Sequence, residues 1–195
     1  MAFRFDIRLS GSGGQGLILM GLILAEAIGI YDGKFVAQTQ SYGPEARGGV
    51  SKAEVVVSDA EIDYPKAMSL DLLLCMNQKS CDEYYPDLKP QGILIVDSTL
   101  VNQVPVPGAY QIPFTRIARD KLKREMSANI VALGAIAKLT GIVTPKALKQ
   151  AVLARAPRGT EQLNLEALKA GMTAALKARK SKGTRVIREK EDEDI

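Results

Sequence analysis

The stretch FDIRLSGSGGQGLILMGLILAEAI, Phe5–Ile28, decides the fold. Phe5–Leu9 reads as a short strand and a glycine cluster ends it. A helix from about Gly16 to Ile28 follows at once. Gly11-Ser12-Gly13-Gly14-Gln15-Gly16 satisfies G-x-G-x-x-G at the junction of a first strand and a first helix. There the glycines permit a tight turn, and backbone N–H groups approach an anion at the positive end of the helix. The bland alternative is a glycine loop that lets the helix pack on the sheet. The second half of a dinucleotide fingerprint is missing: strand two ends Gln38-Thr39-Gln40-Ser41, with no acid for the ribose hydroxyls, and Asp32 precedes that strand.

Outward from this stretch, Phe35–Gln40 is expected as a second strand, entered through the turn Tyr31-Asp32-Gly33-Lys34, and Ser51–Val57 as a third. Leu70–Met76 and Ile93–Val96 are continuous apolar runs, the pattern of strands buried on both faces. Asp97 closes the latter, at the strand end where open α/β sheets place their sites. After Phe114 the texture turns helical: Thr115–Met126, Asn129–Leu139, a helix from Pro145 to about Arg155 capped by Thr144, and Leu163–Ala178. The expected fold class is α/β, a three-layer Rossmann-like sandwich with a mostly parallel (mixed) sheet and a helical C-terminal half. One domain is expected over 1–178, followed by a charged, disordered tail over 179–195.

Composition narrows the chemistry. The chain has 195 residues, 46% hydrophobic and 25% charged, which suits one domain with one core. Histidine is absent, which removes histidine-based triads and imidazole acid–base chemistry together. Cys75 and Cys81 stand in a C-x5-C spacing that fits no zinc or iron–sulfur pattern. Cys75 sits in a buried strand pattern, whereas Cys81, followed by Asp82-Glu83, is expected to be more exposed, with its pKa raised by the acids. No apolar run reaches membrane-spanning length and nothing reads as a signal peptide, so a cytoplasmic location is expected, without membrane contact. The pI near 9.0 invites a nucleic-acid reading. From Lys177 onward there are seven basic and five acidic residues, and body and tail each carry only +2. No concentrated basic face is visible, so no nucleic-acid partner is expected.

A second constellation, SYGPEARGG (Ser41–Gly49), follows strand two. Its glycines bracket a short segment carrying Glu45 and Arg47, a costly way to hold an arginine at the surface because each glycine loses backbone entropy. The functional reading is an arginine poised for a phosphate, a carboxylate or a partner subunit's acid. The other reading is an ordinary turn. In a parallel arrangement this loop would lie beside the glycine loop.

SGSGGQG (Ser10–Gly16), SYGPEARGG, DLLLCMNQ (Asp71–Gln78), SANIVALGAI (Ser127–Ile136) and the stretch Asn164–Gly171 occur in that order, over roughly residues 5–175. Together they resemble the gamma subunit of 2-oxoacid:ferredoxin (acceptor) oxidoreductases, the 2-oxoglutarate and branched-chain type. SYGPEARGG is the specific signal; Leu168 departs from the pattern, where an aromatic is common. The resemblance implies a subunit of an oxidoreductase that decarboxylates a 2-oxoacid, makes an acyl-CoA and passes electrons to ferredoxin. It implies thiamine diphosphate and Mg2+ held between alpha and beta subunits, and 4Fe-4S clusters in a delta subunit or in beta. It also implies a coenzyme A entry region that this chain helps to form on alpha, and an isolated chain that is inactive. Substrate choice among pyruvate, 2-oxoglutarate, branched-chain oxoacids and indolepyruvate is left to alpha and beta.

The expected contact residues follow. Backbone N–H groups of Gly13, Gly14, Gln15 and Gly16 would meet an anionic group, Arg47 beside Gly48 would pair with a phosphate or carboxylate, and Ser41 and Tyr42 would supply neutral hydrogen bonds. Asn129 is either another contact or a helix N-cap after Ala128. No residue is assigned a catalytic or metal role. A stand-alone nucleotide-binding oxidoreductase, which would bind NAD or flavin by itself, remains the alternative.

Overall fold

The computed structural model describes residues 3–41 and 50–191, with side chains through 181. Its six-stranded sheet runs β2-β3-β1-β4-β5-β6, with β1 Arg4–Ser12, β2 Phe35–Ser41, β3 Val50–Ser58, β4 Leu70–Cys75, β5 Leu88–Asp97 and β6 Tyr110–Ile112. The β1–β4, β4–β5 and β5–β6 pairs are parallel, whereas β3 is antiparallel to both β1 and β2. The sheet is therefore mixed, as expected. Its helices are α1 Leu17–Glu26, α2 Gln78–Tyr84, α3 Phe114–Leu122, α4 Ala128–Thr140, α5 Pro145–Arg155 and α6 Glu161–Glu191.

Alternation along the strands sorts the core into two layers. Ile7, Leu9, Val55, Val57, Leu72, Leu74 and Ile95 face α1, α3, α4, α5 and α6. On the other face Val56, Leu73, Cys75, Leu94 and Val96 are covered by α2 and by segments 59–69 and 98–109, through Ala67, Val101 and Ala109. Among the described residues helices lie on both sides, but one side has a single short α-helix, followed by the 3-10 turn Tyr85–Asp87. The runs in β4 and β5 are apolar because both faces are covered.

Several boundaries move. β1 continues through Gly11 and Ser12, paired with Ser51 and Val50, so only 13–16 form the loop. α1 is followed by a π-helical segment, Ala27–Tyr31, that delivers the chain to β2. α5 begins as its sequence implies: the Thr144 hydroxyl accepts from Ala147 N–H at 3.2 Å, with Pro145 in the first turn. The backbone of α6 runs past Ala178 to Glu191, so the expected domain boundary falls inside a helix.

The apolar face of the SANIVALGAI helix is core rather than a partner surface: every residue of Ala128–Ala137 is buried. α6 makes this possible by lying against α4 with almost no gap. A methyl group on Gly134 would sit 2.2 Å from the Leu168 carbonyl oxygen, and one on Gly171 would sit 1.8 Å from that of Val131. Glycine is required at both places because backbone meets backbone.

Candidate functional site

The glycine loop turns at Gly14 (φ +86°) and Gly16 (φ +73°), both left-handed, and Gly16 is the N-cap of α1. Space around Gly13 and Gly14 is open: an added methyl would meet nothing within 4 Å among the described residues. Gln15 points the other way, into the fold. Its Oε1 accepts from Ser12 N–H at 2.7 Å, its Nε2 donates to the Met76 carbonyl at 3.1 Å, and its own N–H turns back on the Ser12 carbonyl at 3.3 Å. Gln15 thus braces the loop between the ends of β1 and β4. The Ser12 hydroxyl accepts from Asn77 Nδ2, and Asn77 Oδ1 in turn accepts from Ser80 N–H at 2.8 Å to cap α2.

Asn129 sits beside this loop, and of its two readings, contact residue or helix N-cap, the cap does not hold. Ser127 occupies the cap position, and Asn129 lies within the first turn of α4, buried, its Oδ1 accepting from Ile130 N–H at 2.8 Å. A methyl on Gly16 would approach Asn129 Nδ2 to 2.4 Å, so the starts of α1 and α4 converge here.

Two cavities open on either side of Gly14. The larger, about 220 Å³, is lined by Gly14, Gly16, Arg124, Asn129, Arg155 and Asn164 among others. The smaller, about 160 Å³, is lined by Gly14, Gln15, Met76, Leu100, Thr115 and Met126. Met126, 76% exposed, borders both. Of the polar groups in the larger cavity, Arg155 is paired with Glu26 at 2.5 Å, and Asn164 Nδ2 donates to the Thr160 carbonyl at 3.0 Å. Arg124 has no acid partner among the described residues. The sequence placed Arg124 and Met126 at the end of a helix over Thr115–Met126, but the left-handed Lys123 (φ +54°) ends α3 at Leu122, and both residues line the cavity beside the loop instead.

The remaining expected residues separate. Ser41 is at the end of β2, but β3 lies between β2 and β1: Ser41 pairs with Lys52, which pairs with Ser10. Two strand spacings, roughly 9.5 Å, therefore part Ser41 from β1. This also explains why an acid after strand two has no nucleotide-fingerprint meaning here, since β2 is not the neighbour of β1. Tyr42, Glu45, Arg47 and Gly48 lie outside the described residues. Asp97 is fully buried and structural: its carboxylate accepts from Thr99 N–H at 2.9 Å, Thr115 N–H at 3.0 Å and the Thr115 hydroxyl at 2.5 Å, fixing the start of α3.

Cys81 reverses its expectation. It is fully buried, and the hydrogen bond from Cys75 lowers its pKa against the opposing effects of burial and Asp82. The same bond, with burial, pushes the Cys75 thiol well up. Sequence adjacency to acids misled because α2 turns the sulfur inward. Both cysteines are free thiols, and among the described residues no three metal-ligating side chains cluster. No helix among them is long and apolar enough to cross a membrane.

Residues 6–174 match the family model for pyruvate ferredoxin/flavodoxin oxidoreductase. The chain is 49% identical over 176 residues to a 2-oxoglutarate synthase subunit, KorC, from Methanocaldococcus jannaschii, spanning 88% of this chain and 94% of that one. The gamma subunit of a keto/oxoacid ferredoxin oxidoreductase from Geobacter sulfurreducens PCA has the same fold, with a TM-score of 0.83 and 47% identity over 91% of this chain and 99% of that one. A 2-oxoglutarate:ferredoxin oxidoreductase from Magnetococcus marinus, solved with 2-oxoglutarate, coenzyme A and succinyl-CoA bound, matches at TM-score 0.78 and 26% identity. That match covers 88% of this chain and 31% of the longer one. The matched span holds both the braced glycine loop and the fused α4–α6 pair, and the chain belongs to the pyruvate ferredoxin/flavodoxin oxidoreductase family.

Proposed function

We propose that this chain is the gamma subunit of a multisubunit 2-oxoacid:ferredoxin oxidoreductase acting on 2-oxoglutarate. The observation that carries the reading is near full-length similarity to a 2-oxoglutarate synthase subunit, at 49% identity over 94% of that relative. Its partners in this reading are the alpha and beta subunits, with delta where beta lacks the clusters, and ferredoxin meets the assembled complex. The work is cytoplasmic.

The chain's own residues assign it a subsidiary part. Its two thiols are buried against one another, so they do not fit a four-cysteine cluster, and the 4Fe-4S centres belong to other subunits. No described cluster of carboxylates fits Mg2+ and thiamine diphosphate either, which we place between alpha and beta.

Coenzyme A fits better, because its phosphates match the donors around the glycine loop. The backbone amides of Gly13, Gly14 and Gly16, at the positive end of α1, would hold an anionic group. Arg124 adds a charge across the larger cavity, and Asn129 contributes an amide beside Gly16. Gln15 keeps the loop open by holding Ser12 and Met76. From the stretch 42–49, Arg47 would supply a second cation, with Tyr42 and Gly48 beside it, whereas Ser41 stands off from the glycine loop. When bound, coenzyme A supplies the thiol that accepts the acyl group; this chain binds and orients and performs no bond making.

Gentle anaerobic purification of the tagged chain, with identification of co-purifying proteins and assay of oxoacid- and CoA-dependent viologen reduction, tests this. Recovery of thiamine- and cluster-bearing partners with activity on 2-oxoglutarate supports it. An inactive solitary chain, or activity confined to another oxoacid, overturns the assembly or the substrate respectively. In the active complex, Arg124→Ala should raise the KM for coenzyme A by roughly tenfold or more, the effect of one lost charged hydrogen bond. The KM for the oxoacid should not move.

A further inference from the structure

A third cavity, about 650 Å³, shares no lining residue with the two beside the glycine loop. It is a groove between α3 and α6, reached also by the end of β6. Ile112, Pro113 and Ile117 form its floor on one side, and Ala170, Ala174 and Ala178 on the other. All but Ile112 are only half-buried. The alanines recur at every fourth position of α6, so they stand in one row, and their short side chains leave the space open.

Charge around that floor is one-sided. Arg116 and Lys121 stand on the α3 wall and Lys169 and Lys177 on the α6 wall, and none of the four has an acid partner among the described residues. The two acids that line the groove are engaged: Asp120 pairs with Arg119 at 3.1 Å, and Glu166 accepts from Gln162 Nε2 at 2.9 Å. An apolar floor between cationic walls is the complement of a ligand whose apolar face is flanked by carboxylates.

The length of the groove selects among such ligands. On α6 its lining runs from Glu166 to Ser181, roughly 22 Å of helix, with Lys169 and Lys177 about 12 Å apart. A compact anion meets one of these cations and leaves most of the floor bare. A nucleic acid strand meets the cations, but the groove has no aromatic ring on which its bases could stack. A helix of three to four turns meets floor and walls together, with an apolar stripe at i, i+3 and i+4 and acids on both flanks.

We propose that an acidic amphipathic helix of another subunit seats in the α3–α6 groove, its carboxylates against Arg116, Lys121, Lys169 and Lys177. The proposal rests on the multisubunit assembly inferred for this chain and is independent of where coenzyme A binds.

The purified complex, with photoreactive p-benzoylphenylalanine in place of Thr173 or of Ser181 in the groove lining, tests it. Irradiation should join the groove to one segment of another subunit. Mass spectrometry should find in that segment apolar residues at helical spacing, with Asp or Glu on both flanks. Lys169→Glu combined with Lys177→Glu should lower recovery of that subunit by roughly tenfold or more. Replacing the acids of the cross-linked segment by lysine should restore it, a rescue that misfolding could not mimic. In an assembled complex active on 2-oxoglutarate, several results overturn the proposal while leaving the assembly intact. These are no cross-link from either position, a cross-link to a second copy of this chain, to nucleic acid or to a segment without acids, and charge reversal without effect. A chain that purifies alone overturns the assembly and the seat together.

Discussion

Asn129 and Gly16 meet so closely that a methyl group on the glycine would lie 2.4 Å from the asparagine amide nitrogen. The contact joins the cap of α1 to the first turn of α4, and it makes the glycine loop and the helical half one unit. Gly16→Ala therefore meets two penalties, a left-handed φ of +73° and a collision. It should destabilise the chain by about 1–3 kcal/mol. Adding Asn129→Ala removes only the collision, so the double variant should be more stable than the sum of the singles predicts. Equilibrium urea unfolding of the four chains measures that coupling, and strict additivity would separate the two residues.

The α4–α6 crossing is a harsher constraint. At Gly134 and Gly171 the obstacle is carbonyl backbone, 2.2 Å and 1.8 Å from an added methyl, and backbone cannot rotate aside as a side chain does. Either Gly→Ala change should force the helices apart and lower stability by about 2–4 kcal/mol. Denaturant midpoints of Gly134→Ala and Gly171→Ala report this, with Gly141→Ala as a comparison whose penalty is left-handed φ alone.

These cases mark how far the sequence could be read. The strand–glycine–helix opening, the doubly buried β4 and β5 and the capped α5 are local patterns, and local patterns survive folding. The place of β3 between β1 and β2 is not local: it rests on hairpin pairing across Tyr42–Gly49, and it moved Ser41 away from the glycine loop. Gln15 looked like a ligand because its partners, Ser12 N–H and the Met76 carbonyl, are backbone groups that any sequence supplies. Arg124 was hidden at the end of an expected helix, which a single reversed residue, Lys123, stops short. Gly171 fell within a stretch noted for resemblance alone, and its physical duty appears only when α6 lies on α4.

Arg8 and Glu54 form an ion pair at 2.8 Å on adjacent central strands, both almost without exposure. Asp87 and Lys52 extend the pair toward solvent. Burial makes removal of one member costly, because the other keeps its charge without compensation. Glu54→Ala should lose about 3 kcal/mol, at the low end for such pairs since Asp87 still faces Arg8. Glu54→Gln should lose less. Chemical unfolding of both variants ranks them, and equal losses would mean that packing rather than charge is at stake.

Cys75 and Cys81 share a hydrogen bond in a sealed layer beneath α2. A lowered pKa at Cys81 favours reaction, but fully buried sulfur denies the reagent access. A disulfide-exchange dye should therefore label neither thiol in the native chain faster than the fold opens. Labelling at a rate independent of denaturant, or of one thiol far ahead of the other, would show α2 lifting locally.

Tyr84 lies in the same region, its ring 4.8 Å from the Arg8 guanidinium carbon and 5.2 Å from Lys52 Nζ. Burial and the neighbouring Glu83 push its phenol from 10.0 up to about 12, against the opposing pull of Arg8. The folded chain thus holds this proton more tightly than the unfolded one. Below pH 10 the contribution to stability is fully present; between pH 10 and 12 the unfolded chain ionises first, and stability falls as pH rises. Ultraviolet titration should show a late tyrosine ionisation near pH 12. Tyr84→Phe keeps the ring over the cations, removes the late step and flattens the alkaline limb of the stability curve. A late step that survives the substitution would assign it to another tyrosine.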